Sequence, residues 1–396
     1  MGGQAPHTLE PLPDDPPLLL DVTRLIWRRW RGRLPTGVDR VCLAYLRHFG
    51  SRAQAVVQHE RFRRILGVGA SQDLFAVLGS PGESFRRRFL RRIIRHPPVR
   101  NSQGANRLYL NVGHTGLDSA GFRRWVSRSD VRPVYLVHDL IPITHPEYCR
   151  PGEESRHRER MRTVLTTARG VIGNSQVTLD ELAQFAAREC LSMPASLAAP
   201  LGIEPAVVGQ EPTTNSIPTF VTLGTIEGRK NHLLLLNVWS RLIDRLGTAA
   251  PRLVVIGQRG WEAQPVFELL DNNEKLRGHV IELSHCSDEE LAAHLTSARA
   301  LLFPSFAEGY GLPIMEALAA GVPVIASDLA VFRELCGDIP SYLNPLDASA
   351  WETAIIDYSS PGSPDRTAQC KRMKGFPAPT WNDHFASVET WLRTLP

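Results

Sequence analysis

The chain has too few cysteines, set too far apart, to be held together by sulfur. Cys42, Cys149, Cys190, Cys286, Cys336 and Cys370 are scattered over 396 residues without a C-x-x-C pair. That argues against a disulfide framework and against zinc, and it fits a reducing cytoplasm. Long apolar runs are also missing, and no segment approaches the roughly 18 to 20 residues of a membrane span. The first twenty residues carry acids and prolines where a signal peptide has a basic start. Pro6 stands where a myristoylation motif has Ser or Thr. No Walker loop, G-x-G-x-x-G, G-x-S-x-G or metal-holding D-x-D pair occurs, so metal-dependent phosphate binding is not expected.

What is present is length and an uneven charge. A chain of 396 residues exceeds one ordinary core, so two domains are expected. The net charge of +4 conceals an asymmetry. Residues 1–205 carry 30 Lys+Arg against 19 Asp+Glu, a net +11, and the rest 15 against 22, a net −7. A basic half draws nucleic acid or anionic lipid.

Strand-like and helix-like runs alternate. After a leader expected to be disordered (1–17), LLLDV reads as a buried strand, RLIWRRWRGRLP as a basic loop with Trp27 and Trp30, and TGVDRVCLAYLRHF as a helix behind a glycine turn. FRRRFLRRIIRHPPVR sets Phe85, Phe89 and Ile93 at helical spacing among arginines that include Arg86, Arg87, Arg91 and Arg92. Such a helix can lie in a membrane interface or pack on its own domain, and the membrane is slightly favoured. Nucleic acid is disfavoured, because no recognition-module signature accompanies the arginines.

RLYLNVG, RPVYLVHDL and GVIGNS read as further strands, which place His114, His138, Asp139 and Asn174 at strand ends. A proline-rich hinge precedes a second series: TFVTLG, RLVVIG, HVIEL, RALLFP and VPVIAS, each followed by a helix. The expected fold class is α/β with two Rossmann-like parallel-sheet domains, 18–205 and 206–378. A final helix, 379–396, is expected to pack back across a domain face. In such sheets ligands bind beyond the carboxyl ends of the strands.

The chemistry concentrates in FPSFAEGYGLPIMEALAAG from Phe303. Glu308 falls in a glycine-rich loop and Glu316 about a turn inside a helix bounded by Pro313 and Gly321. GTIEGRKNH puts Arg229 and Lys230 where a helix opens, so they oppose the dipole unless an anion such as a pyrophosphate sits there. Thr36-Gly37 offers a second, weaker helix start of this kind. Two carboxylates could be a glycosidase pair. Beside a phosphate site, accepting hydrogen bonds from vicinal hydroxyls is the better use for them.

These stretches, with PTGVDR, VHDLIPITHPE and VIGNS, resemble the retaining glycosyltransferases of family 4, whose GT-B fold has two facing Rossmann-like domains. The likeness runs from Leu18 to Leu395. It implies Arg229 and Lys230 as diphosphate clamp, Glu316 as ribose ligand and Glu308 at the donor sugar. Gly309, Tyr310, Gly311 and Leu312 would line the donor, Gly37 would let the first domain near the phosphates, and His138 would face the transferred sugar. His114, Asp139 and Asn174 would border the acceptor.

Gly228 and Tyr310 are mild departures from the family pattern. NVGHTGLD and VHDLIPITHPEYCRPGE look like bacterial polysaccharide mannosyltransferases. The implied reaction moves mannose from GDP-mannose, without cofactor or metal, to a lipid-linked oligosaccharide acceptor. It would take place in the cytoplasm, with peripheral contact at the inner face of the membrane. UDP-glucose or UDP-N-acetylglucosamine is the alternative donor. A catalytically idle sugar-nucleotide-binding subunit and a retaining hydrolase or phosphorylase are the rival functions.

Overall fold

The computed structural model describes residues 18–32, 36–59, 62–80, 85–93, 104, 106–204 and 217–396, with the side chains of Leu90, Arg92 and Ile93 excepted. The leader and most of the hinge lie outside the described residues. The chain divides into two compact units. The first runs to Leu140, resumes over Ser155–Leu201 and takes back Trp381–Pro396; the second holds Ile141–Glu154 and Gly202–Thr380. Residues 141–154, assigned by sequence to the first domain, therefore pack with the second.

The first unit is built on β1 (Leu18–Asp21), β2 (Ala53–His59), β3 (Phe62–Ile65), β4 (Leu108–Asn111), β5 (Arg132–Val137), β6 (Gly170–Gly173) and β7 (Ala195–Ala198). They lie in the order β3-β2-β1-β4-β5-β6-β7. All neighbours are parallel except β2 and β3. Helices cover both faces, so the central strands read as continuous apolar runs, with Leu19, Tyr109, Leu136 and Val137 fully buried.

Two expectations change here. The basic segment after β1 is a helix, Thr23–Trp30, rather than a loop. Leu25 and Ile26 give it a buried face, and Arg28 and Arg29 in its last turn complement the dipole. The arginine composition hid this short apolar stripe.

The arginine-rich helix Phe85–Ile93 packs on its own unit. Phe85 is buried, its ring 5.5 Å from Phe89, which meets Trp30 edge-on at 6.0 Å. Arg86 donates to Trp30 O at 2.7 Å. The stripe expected to enter a membrane is thus used in part inside the fold, where burying one Phe is worth about 2 to 3 kcal/mol. Arg86, Arg87 and Arg91 remain exposed.

The final helix, Trp381–Leu392, belongs to the first unit. Phe385, Val388 and Leu392 are buried, and the Phe385 ring stacks on His48 at 4.0 Å. His384 Nε2 lies 2.9 Å from Tyr45 OH, and Glu389 pairs with His48 and Arg52. A Cβ on Gly170 would come within 2.5 Å of Trp391, so the start of β6 admits that indole only because it lacks a side chain.

The second unit is a parallel sheet of β8 (Thr219–Leu223), β9 (Arg252–Ile256), β10 (Val280–Leu283), β11 (Leu301–Phe303), β12 (Val324–Ser327) and β13 (Ser341–Leu343). Its order is β10-β9-β8-β11-β12-β13. Helices follow as the apolar periodicity indicates, and the core centres on Phe220, Trp239 and Trp351. Both indole N–H groups are satisfied, by Pro251 O at 2.9 Å and Asn344 O at 3.0 Å. Strand order reverses between the parallel neighbours β8 and β11, which opens a crevice beyond their carboxyl ends.

Candidate active site

The loops leaving β8 and β11 meet at that crevice. β8 is followed by Gly224, whose φ of +130° suits glycine, and the chain turns through a 3-10 helix at Gly228–Lys230. Asn231, left-handed at φ 54°, then opens the helix His232–Leu246. The cations therefore sit in the turn before the helix. Asn231 Nδ2 donates to Pro304 O at 3.2 Å and Pro345 O at 2.9 Å; Phe306 N donates to Arg229 O at 2.9 Å. These bonds fasten one loop to the other.

Four charges close the site. Lys230 Nζ lies 2.5 Å from Glu308 Oε1, Arg229 Nη1 2.9 Å from Glu308 Oε2, and Arg229 Nη2 2.7 Å from Glu227 Oε1. Burial pushes the Glu308 carboxyl up, but Arg229 and Lys230 outweigh it and hold it down at about 2. The cluster is neutral, so the cations do not oppose the helix dipole uncompensated. Glu227, buried, is the member that sequence reasoning missed. Its signal was its place in GTIEGRKNH, two residues before Arg229.

Gly309–Leu312 carries the chain into the helix Leu312–Ala319. Gly311 has φ +93°, and a Cβ there would fall 2.6 Å from Phe332 Cε1. Tyr310 is buried, and Glu316 is half-buried about a turn inside the helix, between the Pro313 and Gly321 ends expected for it. Arg229, Lys230, Glu308 and the Gly309–Leu312 loop thus come together.

The other expected residues lie in the first unit. His138 follows β5 with Nε2 2.8 Å from Val112 O. A carbonyl only accepts, so Nε2 carries the proton and Nδ1 is an acceptor in the neutral ring. Burial drives its pKa down to about 4. His114 is likewise neutral, pushed well below the ordinary range by burial and neighbouring His138. Its Nε2 lies 2.9 Å from Leu136 O.

Asn174 is buried with both amide ends used inside the unit, donating to His138 O at 2.8 Å and accepting from Thr178 Oγ1 at 2.9 Å. It supports His138 through its carbonyl. Asp139 is half-buried, and its carbonyl faces His157 Nε2 at 3.1 Å. Gly37 begins the helix Gly37–Phe49, where Asp39 accepts from Thr36 N at 2.7 Å.

Two parallel α/β units of this order define the GT-B fold. The structure of Anabaena HepE in complex with UDP matches with a TM-score of 0.64 at 16% identity, over 94% of this chain and 99% of that one. A trehalose 6-phosphate synthase from Burkholderia multivorans matches at 0.60 and 12%, over 96% and 100%. Residues 209–359 match the family model of glycosyl transferases group 1.

Among sequence relatives, the O-antigen chain mannosyltransferase B of Escherichia coli is 28% identical over 239 residues, 57% of this chain and 60% of its own. The serotype-specific mannosyltransferase WbdA of that species is 27% identical over 285 residues, 66% of this chain and 33% of its own. The O-antigen chain mannosyltransferase RfbU of Salmonella typhimurium is 41% identical over 139 residues, 34% and 37%. The chain spans 60% of the first relative's length and 33% of the second's.

Proposed function

We propose that this protein is a retaining mannosyltransferase that moves mannose from GDP-mannose to an oligosaccharide acceptor, lipid-linked, in cell-surface polysaccharide synthesis. The observation that carries the reading is the bridge of Arg229 and Lys230 to Glu308 at the crevice between β8 and β11. A donor diphosphate takes N–H groups of Arg229 and Lys230, which are then aimed at the charge that develops on the leaving group. Glu308, held ionised, accepts from donor-sugar hydroxyls, and Glu316 from the ribose. Backbone N–H groups of Gly309, Tyr310 and Gly311 complete the donor cradle.

In the first unit, neutral His138 offers Nδ1 to a sugar hydroxyl. The departing phosphate oxygen takes the proton of the acceptor hydroxyl as the new glycosidic bond forms on the same face. The names of the mannosyltransferase relatives favour mannose, while the UDP bound to HepE keeps a UDP-sugar as the alternative donor. Among the described residues no helix is long and apolar enough to cross a membrane. Exposed Arg86, Arg87 and Arg91 support peripheral contact with an anionic surface.

A thermal-shift panel of GDP-mannose, UDP-glucose and UDP-N-acetylglucosamine tests the donor, since a bound ligand raises the melting temperature by mass action. Stabilisation by GDP-mannose and an α-linked product support the reading. Stabilisation by none, or sugar release to water alone, overturns it. Transfer that survives excess EDTA is expected.

A further inference from the structure

Beyond the carboxyl ends of β1 and β4, where strand order in the first sheet also reverses, lies a cavity of about 310 Å³ lined by no residue of the proposed donor clamp. Five guanidinium groups line it: Arg24, Arg28 and Arg31 from the segment after β1, and Arg156 and Arg160 from the helix Glu153–Thr167. Asp39 and Asp118 are among their partners. Asp39 takes Arg24 at 2.6 Å and Arg28 at 2.8 Å; Asp118 takes Arg156 at 3.1 Å with Arg160 at 3.9 Å. Of the side chains that line this concave site five are guanidinium groups and one, Asp118, is a carboxylate, an arrangement that concentrates anions there.

The wall is built rather than incidental. Thr115 O accepts from Asn111 Nδ2 at 2.9 Å and Gln58 Nε2 at 3.2 Å, which fixes the loop after β4. Gly116, at φ +73°, lies where a Cβ would strike Gln58 Oε1 at 2.3 Å. Gly113 lets the Arg24 stem pass within 3.1 Å of where its Cβ would be. Beside the cations, Trp27 is 40% exposed and Arg31 lies over its ring at 5.8 Å. An apolar ring edge next to a cationic pocket suits a sugar attached to a phosphate.

We infer that this cavity binds the phosphate or diphosphate group of a phosphorylated sugar acceptor, with Arg31, Arg156 and Arg160 as its principal ligands. The transfer reaction proposed above supplies only the word acceptor; the anion site stands on its own geometry. Guanidinium forks bind phosphate oxygens in pairs, so loss of one fork weakens the site and loss of a competing carboxylate strengthens it.

The test is calorimetric titration of inorganic pyrophosphate and inorganic phosphate into the full chain, the double variant Arg31→Ser/Arg156→Ser, and Asp118→Asn. The variants' circular dichroism is recorded, and since all three proteins share an unchanged second unit, the difference between them reports the first unit's cavity. At least a tenfold loss in the double variant and a severalfold gain in Asp118→Asn are expected. Equal affinity in all three, or no pyrophosphate binding by the parent, overturns the inference.

Vesicles of phosphatidylcholine with and without a polyprenyl diphosphate distinguish the sources. Diphosphate-dependent flotation lost in the double variant marks a lipid headgroup. Binding of soluble pyrophosphate without flotation marks a soluble phosphorylated acceptor. If no nucleotide sugar stabilises the parent yet the variants behave as stated, the transfer reading falls and the anion site stands.

Discussion

Lys230 Nζ lies 2.5 Å from Glu308 Oε1 across a separation of 78 residues, joining the loop after β8 to the loop after β11. The bond means that Lys230 and Glu308 hold each other as a charged pair. Each cation is held by a carboxylate, and under the proposed function a donor diphosphate competes with Glu308 for both.

Glu308→Gln separates these roles. With the opposing charge gone, Lys230 and Arg229 are under-compensated in a buried site, which costs about 3 kcal/mol of stability. Nucleoside diphosphate affinity holds or tightens because the competitor is removed, whereas transfer falls at least about 100-fold. Urea unfolding, calorimetry with GDP and initial rates check the three parts. Full transfer activity in the variant would remove Glu308 from its proposed role.

Gly311→Ala and Gly321→Ala differ in cause and size. At Gly311 a positive φ combines with a Cβ 2.6 Å from Phe332, a loss of about 3 kcal/mol. At Gly321 the φ of +75° stands in open space, so about 1 kcal/mol is lost. Equal melting temperatures for the two variants would contradict the close approach.

Deletion of 381–396 acts on the unit farther away in sequence. Phe385, Val388 and Leu392 are buried in the first unit. Together they contribute about 6 kcal/mol, comparable with the stability of a whole domain. Calorimetry of the truncated chain is expected to show the second unit melting alone. Retention of the first unit's hydrogen-exchange protection would refute this.

Acid weakens the fold through histidines held neutral by burial. His138 and His384 are lowered to about 4 and His232 to about 3. A base with a depressed folded pKa binds its proton first in the unfolded chain, so stability is full above pH about 6.5 and is lost as pH falls toward 4. Each ring contributes on the order of 3 kcal/mol to this loss. Urea midpoints at pH 7, 5.5 and 4.5 should fall in that order. His232→Phe should flatten the slope, and an unchanged slope would exclude that ring.

Much of the second unit was readable because its central strands β8, β9, β11 and β12 are buried and its turns are marked by glycine. The apolar runs and the residues Gly224, Gly311 and Gly321 sit where that pattern puts them. The helix Thr23–Trp30 was not readable: its buried face is three residues, Thr23, Leu25 and Ile26, inside an arginine-rich segment. The internal bonds of Asn174 were not readable for another reason. A polar residue at a strand end looks the same whether it meets a ligand or ties down a neighbouring carbonyl.

By itself the sequence determined the two α/β halves, the short helix behind Glu308, and the pairing of Arg229 with Lys230, since these rest on local periodicity and backbone limits. The tertiary structure decided which charges meet. It brought Glu227 and Glu308 onto the two cations and gathered five arginines around one cavity. It also returned the last helix to the first sheet, because burial and ion pairing depend on approach through space between residues that the chain holds far apart.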